Sequence, residues 1–384
     1  MKVLNLYIAN FKYIYFFYAT MKHRYFLFFG LILFMSCSEH SQPLKNLTLF
    51  VGTYTDGTSE GIYTLRFNPE TGALDSLELK AKLPNPSFLA LSKNKDFLYA
   101  VQETADFDSL GGGVTAFSIK EELLEEINSK GSGGAHPCHI ILSGSAQLAV
   151  SNYTGGNVGV FDISGDGSLG DRQVLNHNPK DTTGIAHAHK AHFNADGLFV
   201  TDLGLDVLKR YTKQPHGWIL AEQAELQLPK GAGPRHFTFN TDRSFLYVIN
   251  ELNATITVFK RDGDGSYHPI QTESTVAADW TGQKACADLH LSPDGKFLYG
   301  SNRGENTLVI FSVDKASGRI TLVGRESVQG DWPRNFVLTP DGNFVLVANQ
   351  RSNNITVFNR DGENGALEYT GQFEVGAPVC LVFN

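Results

Sequence analysis

A short pattern of apolar and polar residues recurs along most of the chain. One copy begins at Pro234-Arg-His-Phe-Thr-Phe, passes through a turn and continues as the aromatic and β-branched stretch Phe245-Leu-Tyr-Val-Ile. Apolar or alternating runs of this length indicate β-strands. The turn is often Asp-Gly, as at Asp294-Gly295, which suits the positive φ angles of a tight hairpin. The pattern therefore predicts repeated antiparallel hairpins.

The copies are regularly spaced. Their seven starting positions lie 45–52 residues apart, at Pro86, Pro137, Ala188, Pro234, Cys286, Pro333 and Pro378. A repeat of this length, with four short strands in each unit, is typical of β-propellers. The last copy contains only an inner strand, and the stretches 47–53 and 61–67 can supply its partners. We therefore predict an all-β, seven-bladed β-propeller over residues 47–384, closed by pairing of the N-terminal strands with the C-terminal strand.

Residues 1–36 differ from the rest of the chain. They contain four basic residues and no acidic residue, so the formal net charge of −8 conceals −12 on residues 37–384. Lys22 and Arg24 precede an apolar run that ends at Met35, which indicates a secretory signal too short to span a bilayer permanently. Met21 is then the expected start, and residues 1–20 are either untranslated or an extension of an uncleaved anchor. If this segment is not a working signal, the protein is expected in the cytoplasm.

The sequence Phe34-Met-Ser-Cys37 at the end of this segment resembles a bacterial lipobox. The resemblance implies that Cys37 is acylated and becomes the mature N-terminus, which would anchor an exported protein in the periplasm or at the outer membrane. Plain secretion and a buried Cys37 are the alternatives. Residues 37–46 would form a short tether, and the only expected contact with a membrane is this lipid anchor.

Composition narrows the possible partners. The isoelectric point is near 5.8, and no basic stripe is available for a nucleic acid. A hydrophobic content of 42% with 19% charged residues is typical of a folded domain, which we expect to be a monomer. Cys138, Cys286 and Cys380 are widely separated and odd in number, so they suggest buried packing residues rather than a disulfide framework.

Strand direction predicts which polar residues meet at one rim. The chain enters each inner strand at the start of a copy and returns along the second strand, so these two ends lie together. The first ring of polar residues at this rim contains His139, His189, Lys190, Arg235, His236, Asp288, Arg334 and Asn335. The second ring contains Glu103, Glu251, Arg303 and Gln350, with Asn302 and Asp202 beside it. Arginine, histidine and glutamate side chains at one mouth suit an anionic, oxygen-rich small molecule.

Several motifs carry a family resemblance. They are Gly233-Pro-Arg-His-Phe, Tyr247-Val-Ile-Asn-Glu-Leu, Ser301-Asn-Arg-Gly and Asp202-Leu-Gly-Leu-Asp. The chain resembles the seven-bladed lactonases, which include propeller-type 6-phosphogluconolactonases and fungal carboxy-muconate lactonising enzymes. The resemblance implies a site on a propeller face that uses neither a metal nor a cofactor. It assigns Arg235, Glu251, Arg303 and a histidine of the 187–189 stretch to that site, whereas Asn335 departs from the Pro-Arg-His pattern.

The expected roles follow from side-chain chemistry. We expect Glu251 to activate water, and Arg235 and Arg303 to neutralise the substrate's anionic group and the developing oxyanion. A purely structural pairing of Glu251 with these arginines is a compatible alternative. We expect His189 to assist in catalysis. The expected substrate-binding residues are His187, His236, Arg334, Asp202, Asn302 and Gln350.

The run from His187 to His192 invites a zinc interpretation. Strand alternation places His187 and His189 on one side and His192 on the other, so we expect no metal.

The leading functional hypothesis is hydrolysis of a sugar-derived lactone, most simply 6-phosphogluconolactone to 6-phosphogluconate. Export conflicts with this substrate, which is made in the cytosol. The alternatives are a lactonase or cycloisomerase for another aldonic or aromatic-acid lactone, and a binding propeller without turnover. A quinone-cofactor dehydrogenase is disfavoured because the chain has only 3 Trp.

Overall fold

The computed structural model describes residues 45–121, 123–144, 146–179 and 184–384. The signal predicted for residues 1–36, the lipidation site at Cys37 and the tether up to residue 44 lie outside the described residues. Lys45–Asn384 form one compact unit. In the described part of the chain, we find no helix with the length and apolar character needed to cross a membrane.

The described residues form 28 β-strands, which pair into seven four-stranded antiparallel sheets. The innermost strands of the sheets are β4 (Leu89–Leu91), β8 (Pro137–Ser143), β12 (Ala188–Asn194), β16 (Pro234–Phe239), β20 (Ala285–Leu291), β24 (Pro333–Leu338) and β28 (Pro378–Phe383). The second strands are β1 (Leu47–Thr53), β5 (Phe97–Gln102), β9 (Gln147–Asn152), β13 (Gly197–Asp202), β17 (Phe245–Asn250), β21 (Phe297–Arg303) and β25 (Phe344–Asn349).

Two further strands complete each sheet on its outer side. The third strands are β2 (Gly61–Phe67), β6 (Gly113–Lys120), β10 (Asn157–Ile163), β14 (Val207–Gln214), β18 (Thr255–Arg261), β22 (Thr307–Val313) and β26 (Asn354–Arg360). The outer strands are β3 (Leu74–Lys82), β7 (Leu123–Gly131), β11 (Leu169–Asn176), β15 (Gly217–Gln227), β19 (Tyr267–Ser274), β23 (Ile320–Ser327) and β27 (Leu367–Glu374).

Each sheet is one blade of a ring. The sheets that start at β4, β8, β12, β16, β20 and β24 are blades 1 to 6, and β28 with β1, β2 and β3 forms blade 7. Every inner strand contacts the inner strands of both neighbouring blades. The seven-bladed, all-β fold predicted from the repeat is therefore confirmed. Six of the seven predicted starts fall within one residue of an inner strand's first residue, whereas β4 begins three residues after Pro86.

The two ends of the described chain close the ring. β1 pairs with β28 in antiparallel register, with Leu49 opposite Phe383 and Val51 opposite Leu381. This pairing removes the open sheet edge that an incomplete last blade would expose, and it confirms the closure predicted from the sequence.

The core lies between the blades, where apolar faces of adjacent sheets pack together. Glycine turns between the third and outer strands contact an aromatic residue of the preceding blade. Gly318 has φ +70° and lies against the ring of Phe245, and Gly365 has φ +78° and lies against the ring of Phe297. The hydroxyl of Tyr299 also donates to the Gly365 carbonyl oxygen at 2.9 Å. These contacts join neighbouring blades at the rim opposite the predicted site.

Cys138, Cys286 and Cys380 are buried, unpaired thiols, as expected. Burial raises the pKa of the Cys286 and Cys380 thiols to about 12. They are therefore packing residues rather than nucleophiles.

Candidate functional site

The strand register brings the two predicted rings of polar residues to one mouth of the central channel. Pro234 lies opposite Asn250, and Ala285 lies opposite Arg303. In blades 2 to 6 the register shifts near the start of the inner strand, as between Pro234 and His236. A β-bulge of this kind inserts one residue and changes the direction of the neighbouring side chains.

Glu251 lies at the mouth, between two buried arginines. Its Oε2 is 3.0 Å from Arg235 Nε and 2.8 Å from Arg303 Nη2. The Glu251 side chain is 21% exposed, whereas those of Arg235 and Arg303 are 3% and 6% exposed. The carboxylate can therefore be reached from solvent, and the two guanidinium groups form the wall behind it.

Main-chain oxygens of β20 hold both guanidinium groups in place. Arg303 donates from Nε to the Ala285 oxygen at 3.1 Å and from Nη2 to the Cys286 oxygen at 3.0 Å. Arg235 donates from Nη1 to the Ala287 oxygen at 2.6 Å. Burial lowers the pKa of Arg303 to about 10 and also lowers that of Arg235, while Glu251 acts in the opposite direction on both. Arginine guanidinium groups are not deprotonated in proteins, so both groups are cationic at neutral pH.

A second charged cluster lies on the other side of the mouth, where Glu103 bridges blades. Its carboxylate accepts a hydrogen bond from the Tyr54 hydroxyl at 2.9 Å and another from the Ser87 hydroxyl. Arg334 Nη2 is 3.9 Å from Glu103 Oε1, and its guanidinium is 5.2 Å from the centre of the Tyr54 ring. Burial alone would lower the pKa of Arg334, but Tyr54 and Glu103 raise it. Glu103 of blade 1 thus contacts Tyr54 of blade 7 and Arg334 of blade 6.

Three histidines form a buried cluster beneath the charged groups. The ring centres of His189 and His236 are 5.2 Å apart, and those of His139 and His236 are 5.7 Å apart. His139 Nδ1, His189 Nδ1 and His236 Nε2 have no hydrogen-bond partner among the described residues. Burial lowers the pKa of all three imidazoles, that of His236 to about 3. They are therefore neutral at pH 7, and each retains a nitrogen for a further hydrogen bond.

A buried aspartate holds one of these rings in a defined orientation. Asp288 Oδ1 is 2.6 Å from His236 Nδ1, and Asp288 Oδ2 is 2.9 Å from His290 Nε2. Asn335 also donates to Asp288 Oδ2 at 2.6 Å, and its own side-chain oxygen accepts from the Leu381 amide. Asn335, which departs from the Pro-Arg-His pattern, therefore connects blade 6 to blades 5 and 7.

His187 lies at the edge of the mouth. Its ring stacks on Tyr153 with centres 4.4 Å apart, and its Nδ1 is 3.0 Å from the Tyr153 main-chain oxygen. The ring of His189 meets the same tyrosine edge to face at 5.9 Å. His192 instead contacts Phe237 and Phe239. Among the described residues no group of three or more His, Cys, Asp or Glu side chains is arranged to hold a metal ion.

Two of the predicted substrate-binding residues, Asp202 and Asn302, are held by contacts within the fold. Asp202 is fully buried, and its oxygens accept from the amides of His187 and Leu205 and contact His177 Nδ1 at 2.8 Å. Asn302 is also buried and donates to the Thr275 oxygen, which follows the outer strand of blade 4, and to the Thr307 hydroxyl of its own blade. Both side chains therefore have hydrogen-bond partners within the fold and are not exposed to solvent.

Gln350 is half-buried at the mouth, and its Oε1 has no hydrogen-bond partner among the described residues. The sequence patterns did not reveal three aromatic residues that contact the polar residues of the mouth. Tyr54, Tyr153 and Trp332 lie in loops that follow a second strand or precede an inner strand, outside the strand pattern. The only sequence signal for them was their position next to the predicted rim residues.

The arginines, the partly exposed glutamate and the histidines at one mouth of the propeller channel are suited to a small anionic molecule. The sequence signature of the family described as "Lactonase, 7-bladed beta-propeller" matches residues 48–383. The chain belongs to this family, as its motifs predicted.

Individual lactonases are also similar to this chain in sequence and in structure. The chain is 34% identical over 296 residues to a 6-phosphogluconolactonase of Bacillus subtilis, a match that covers 75% of this chain and 84% of the relative. It is 36% identical over 316 residues to a 6-phosphogluconolactonase of Formosa agariphila, covering 76% and 86% of the two chains. Among solved structures, the periplasmic gluconolactonase of Pseudomonas aeruginosa superposes with a TM-score of 0.82 at 35% identity, covering 88% of this chain and 99% of the other.

Proposed function

We propose that this protein hydrolyses a sugar-derived lactone, with 6-phosphogluconolactone as the leading substrate and 6-phosphogluconate as the product. The observation that carries the proposal is the partly exposed Glu251 carboxylate between Arg235 and Arg303 at the channel mouth. The two relatives named 6-phosphogluconolactonase support the choice of substrate. We propose that the enzyme acts as a monomer.

In the proposed reaction a water molecule attacks the lactone carbonyl carbon and gives one proton to Glu251. Arg235 and Arg303 stabilise the negative charge that develops on the carbonyl oxygen, and their hydrogen bonds to main-chain oxygens hold them in position beforehand. The bond from the carbonyl carbon to the ring oxygen then breaks. The proton on Glu251 passes to that oxygen, which leaves as a hydroxyl group, and His189 or His187 assists the transfer.

Other residues would hold the substrate. His236 can accept a hydrogen bond through its free Nε2, because Asp288 faces Nδ1. Arg334 and Gln350 present a cation and an amide to the same mouth. Asp202 and Asn302 act indirectly, since they hold the turns on which the mouth residues lie.

The test is lactone opening followed by pH-stat above the spontaneous rate. We expect Glu251→Gln to lower kcat/KM by about 10²- to 10⁴-fold, the usual contribution of a general base, and Arg235→Ala to lower it by about 10²-fold or more. Glu368→Gln, an exposed position on β27, is the matched control. Wild-type rates in both site variants would overturn the assignment.

A second candidate substrate is an unphosphorylated aldonolactone. The similarity to a periplasmic gluconolactonase and the signal-like segment before residue 37 favour it, because phosphorylated sugar lactones are made in the cytosol. A panel of phosphorylated and unphosphorylated lactones separates the two candidates through their kcat/KM values. Binding of a sugar acid without any rate enhancement would instead indicate a non-catalytic propeller.

We also propose that the protein is exported and anchored through a lipid on Cys37. The basic and apolar segment and the Phe34-Met-Ser-Cys37 sequence support this location. Cell fractionation tests it. We expect the wild type in the membrane fraction and Cys37→Ala in the soluble periplasmic fraction, and recovery of both from the cytosol would contradict the proposal.

A further inference from the structure

One arginine at the mouth has no acidic partner. Arg351 is exposed, and no carboxylate of the described residues lies within 4.0 Å of its guanidinium nitrogens. By contrast, Arg235 and Arg303 share Glu251, and Arg334 faces Glu103. Arg351 is therefore an exposed arginine of the mouth whose charge is available to a ligand.

Its position is fixed by an aromatic residue rather than by an ion pair. The Arg351 guanidinium carbon lies 3.3 Å from the centre of the Trp332 ring, a close cation–π stack. Arg303, the partner of Glu251, lies 5.3 Å from the same ring. A stacked guanidinium uses its face on the indole and keeps its edge N–H groups for an oxyanion. The Trp332 ring thus contacts both Arg303, which pairs with Glu251, and the exposed Arg351.

The backbone at Trp332 is held in an uncommon conformation. Its φ is +68°, in the left-handed region that bulky residues rarely adopt. Such strain persists only where the surroundings impose it, and it is concentrated at functional sites.

The residues that hold the Trp332 backbone in this conformation lie in blades 5 and 6. Asn306 accepts from the Trp332 amide at 2.9 Å and donates to Asp331 Oδ1 at 2.9 Å. The amides of Gln350 and Arg351 donate to the main-chain oxygens of Trp332 and Asp331, each at 3.1 Å. These hydrogen bonds join the two loops that carry Trp332 and Arg351. The stack of the Arg351 guanidinium on the Trp332 ring is therefore in place before a ligand binds.

We propose that Trp332 and Arg351 form a second anion-binding subsite, which holds a terminal phosphate or carboxylate of the lactone. This inference rests on the proposed function and specifies its substrate class. In a 6-phosphoaldonolactone the phosphate lies at the opposite end of the molecule from the carbonyl group. The substrate would place its carbonyl at Glu251, Arg235 and Arg303, and its phosphate on Arg351.

The test compares three lactones on the full-length protein: 6-phosphogluconolactone, unphosphorylated gluconolactone, and an aldarolactone that carries a carboxylate in place of the phosphate. We expect Arg351→Gln to lower the ratio of kcat/KM for the phosphorylated over the unphosphorylated lactone by about tenfold, mainly through KM, since one charge-assisted hydrogen bond is lost. The aldarolactone shows whether a carboxylate is held in the same way. Arg319→Gln, at an exposed arginine on the opposite rim, is the control and should leave the ratio unchanged.

A binding measurement makes the result independent of turnover. Calorimetric titration with inorganic phosphate should give a dissociation constant about tenfold larger for Arg351→Gln than for the wild type and Arg319→Gln. If the wild type opens no lactone, the proposed function fails, and this titration still decides the subsite. Equal phosphate affinity in Arg351→Gln and the wild type, or an unchanged ratio of kcat/KM in an active enzyme, overturns the inference.

Discussion

The two arginines beside Glu251 are held by main-chain groups that sequence periodicity does not reveal. Arg303 donates to two main-chain oxygens of β20 in addition to its ion pair with Glu251. A lysine could not make this set of contacts, because it lacks the planar fork of donors. The arginine is therefore in position before substrate arrives, and an electrostatic site needs this property to favour the transition state.

Asp202 provides a residue-scale prediction that separates a structural role from a binding role. Replacing it with alanine removes the acceptor of the His187 and Leu205 amides and the partner of His177 Nδ1. Buried donors left without acceptors cost about 1–3 kcal/mol each. We expect Asp202→Ala to lower the free energy of unfolding by about 3 kcal/mol, measured by urea denaturation.

The control is Asp171→Ala, at an exposed position on β11, which should change the free energy of unfolding by less than about 0.5 kcal/mol. A normal unfolding curve for Asp202→Ala, accompanied by a raised KM, would instead restore Asp202 to the substrate-binding residues.

Arg235, Glu251 and Arg303 could be predicted as neighbours because the repeat fixes strand direction and therefore the rim on which each strand ends. Asp202 and Asn302, predicted by the same argument, are buried and hydrogen-bonded within the fold. Both lie at or next to the end of a second strand, but adjacent residues of a strand point to opposite faces. Sequence position at a rim therefore does not determine whether a side chain enters the mouth or the blade.

At the level of elements, the inner strands explain how the site becomes so dense in polar groups. In blade 4 the bulge between Pro234 and His236 interrupts strict alternation. Arg235 can then contact Glu251 while the next residue contacts Asp288. Bulges depend on pairing with a neighbouring strand, so the sequence of a single strand did not reveal them.

The contacts between blades at the opposite rim provide the element-scale prediction. A Cβ at position 318 would lie 2.1 Å from a ring carbon of Phe245, and φ at this glycine is +70°. Both effects oppose a side chain. We expect Gly318→Ala to lower the free energy of unfolding by about 1–3 kcal/mol, measured by chemical denaturation with the activity assay as a check on the mouth.

Gly324→Ala on β23 is the matched control, because no atom lies within 4 Å of a Cβ built there. If both variants unfold at the same denaturant concentration, the close packing of this turn does not stabilise the propeller.

The strands could be predicted from the repeat, whereas the loops over the mouth could not. Trp332 immediately precedes an inner strand, and Arg351 follows a second strand by two residues. Their stack depends on a left-handed backbone at Trp332 and on Asn306 from blade 5. No periodic pattern encodes such a contact between loops of different blades.

For the whole molecule, the ring concentrates positive charge on an acidic background. The formal net charge of the chain is −8, yet the mouth contains the four arginines Arg235, Arg303, Arg334 and Arg351 together with the carboxylates of Glu251 and Glu103. Local excess charge of this kind attracts an anionic ligand even when the net charge has the same sign as the ligand. The closed ring makes this possible because it brings arginines from three blades to one channel.

The buried histidines of the channel and Asp288 determine how the stability of the molecule depends on pH. His139, His189 and His236 are buried with lowered pKa values, and His236 reaches about 3 against an ordinary value of 6.5. His236 faces the Asp288 carboxylate and two cations, Arg235 and Lys190, and burial is the largest cause of its shift. Although burial opposes it, the neighbouring histidines hold the pKa of Asp288 well below its usual range.

The lowered pKa values of His139, His189, His236 and Asp288 all make the folded protein less stable as pH decreases. Below pH 6.5 the unfolded chain binds protons on these histidines that the folded channel excludes, for His236 down to about pH 3, so the free energy of unfolding falls as pH decreases. Below pH 4 the Asp288 contribution is lost as well, because the unfolded carboxyl is protonated first. We expect urea denaturation to show a steady loss of stability from pH 7 to pH 4.

Replacing one of these histidines isolates the contribution of the channel. His139→Gln should reduce the slope of the free energy of unfolding against pH by up to about 1.4 kcal/mol per pH unit, the value for one proton. His216→Gln, at an exposed histidine in the β14–β15 turn, should leave the slope unchanged. The comparison depends on slopes rather than absolute stabilities, so a general destabilisation by the channel substitution would not imitate the effect. Equal slopes in His139→Gln and the wild type would show that His139 is protonated in the folded channel as readily as in the unfolded chain.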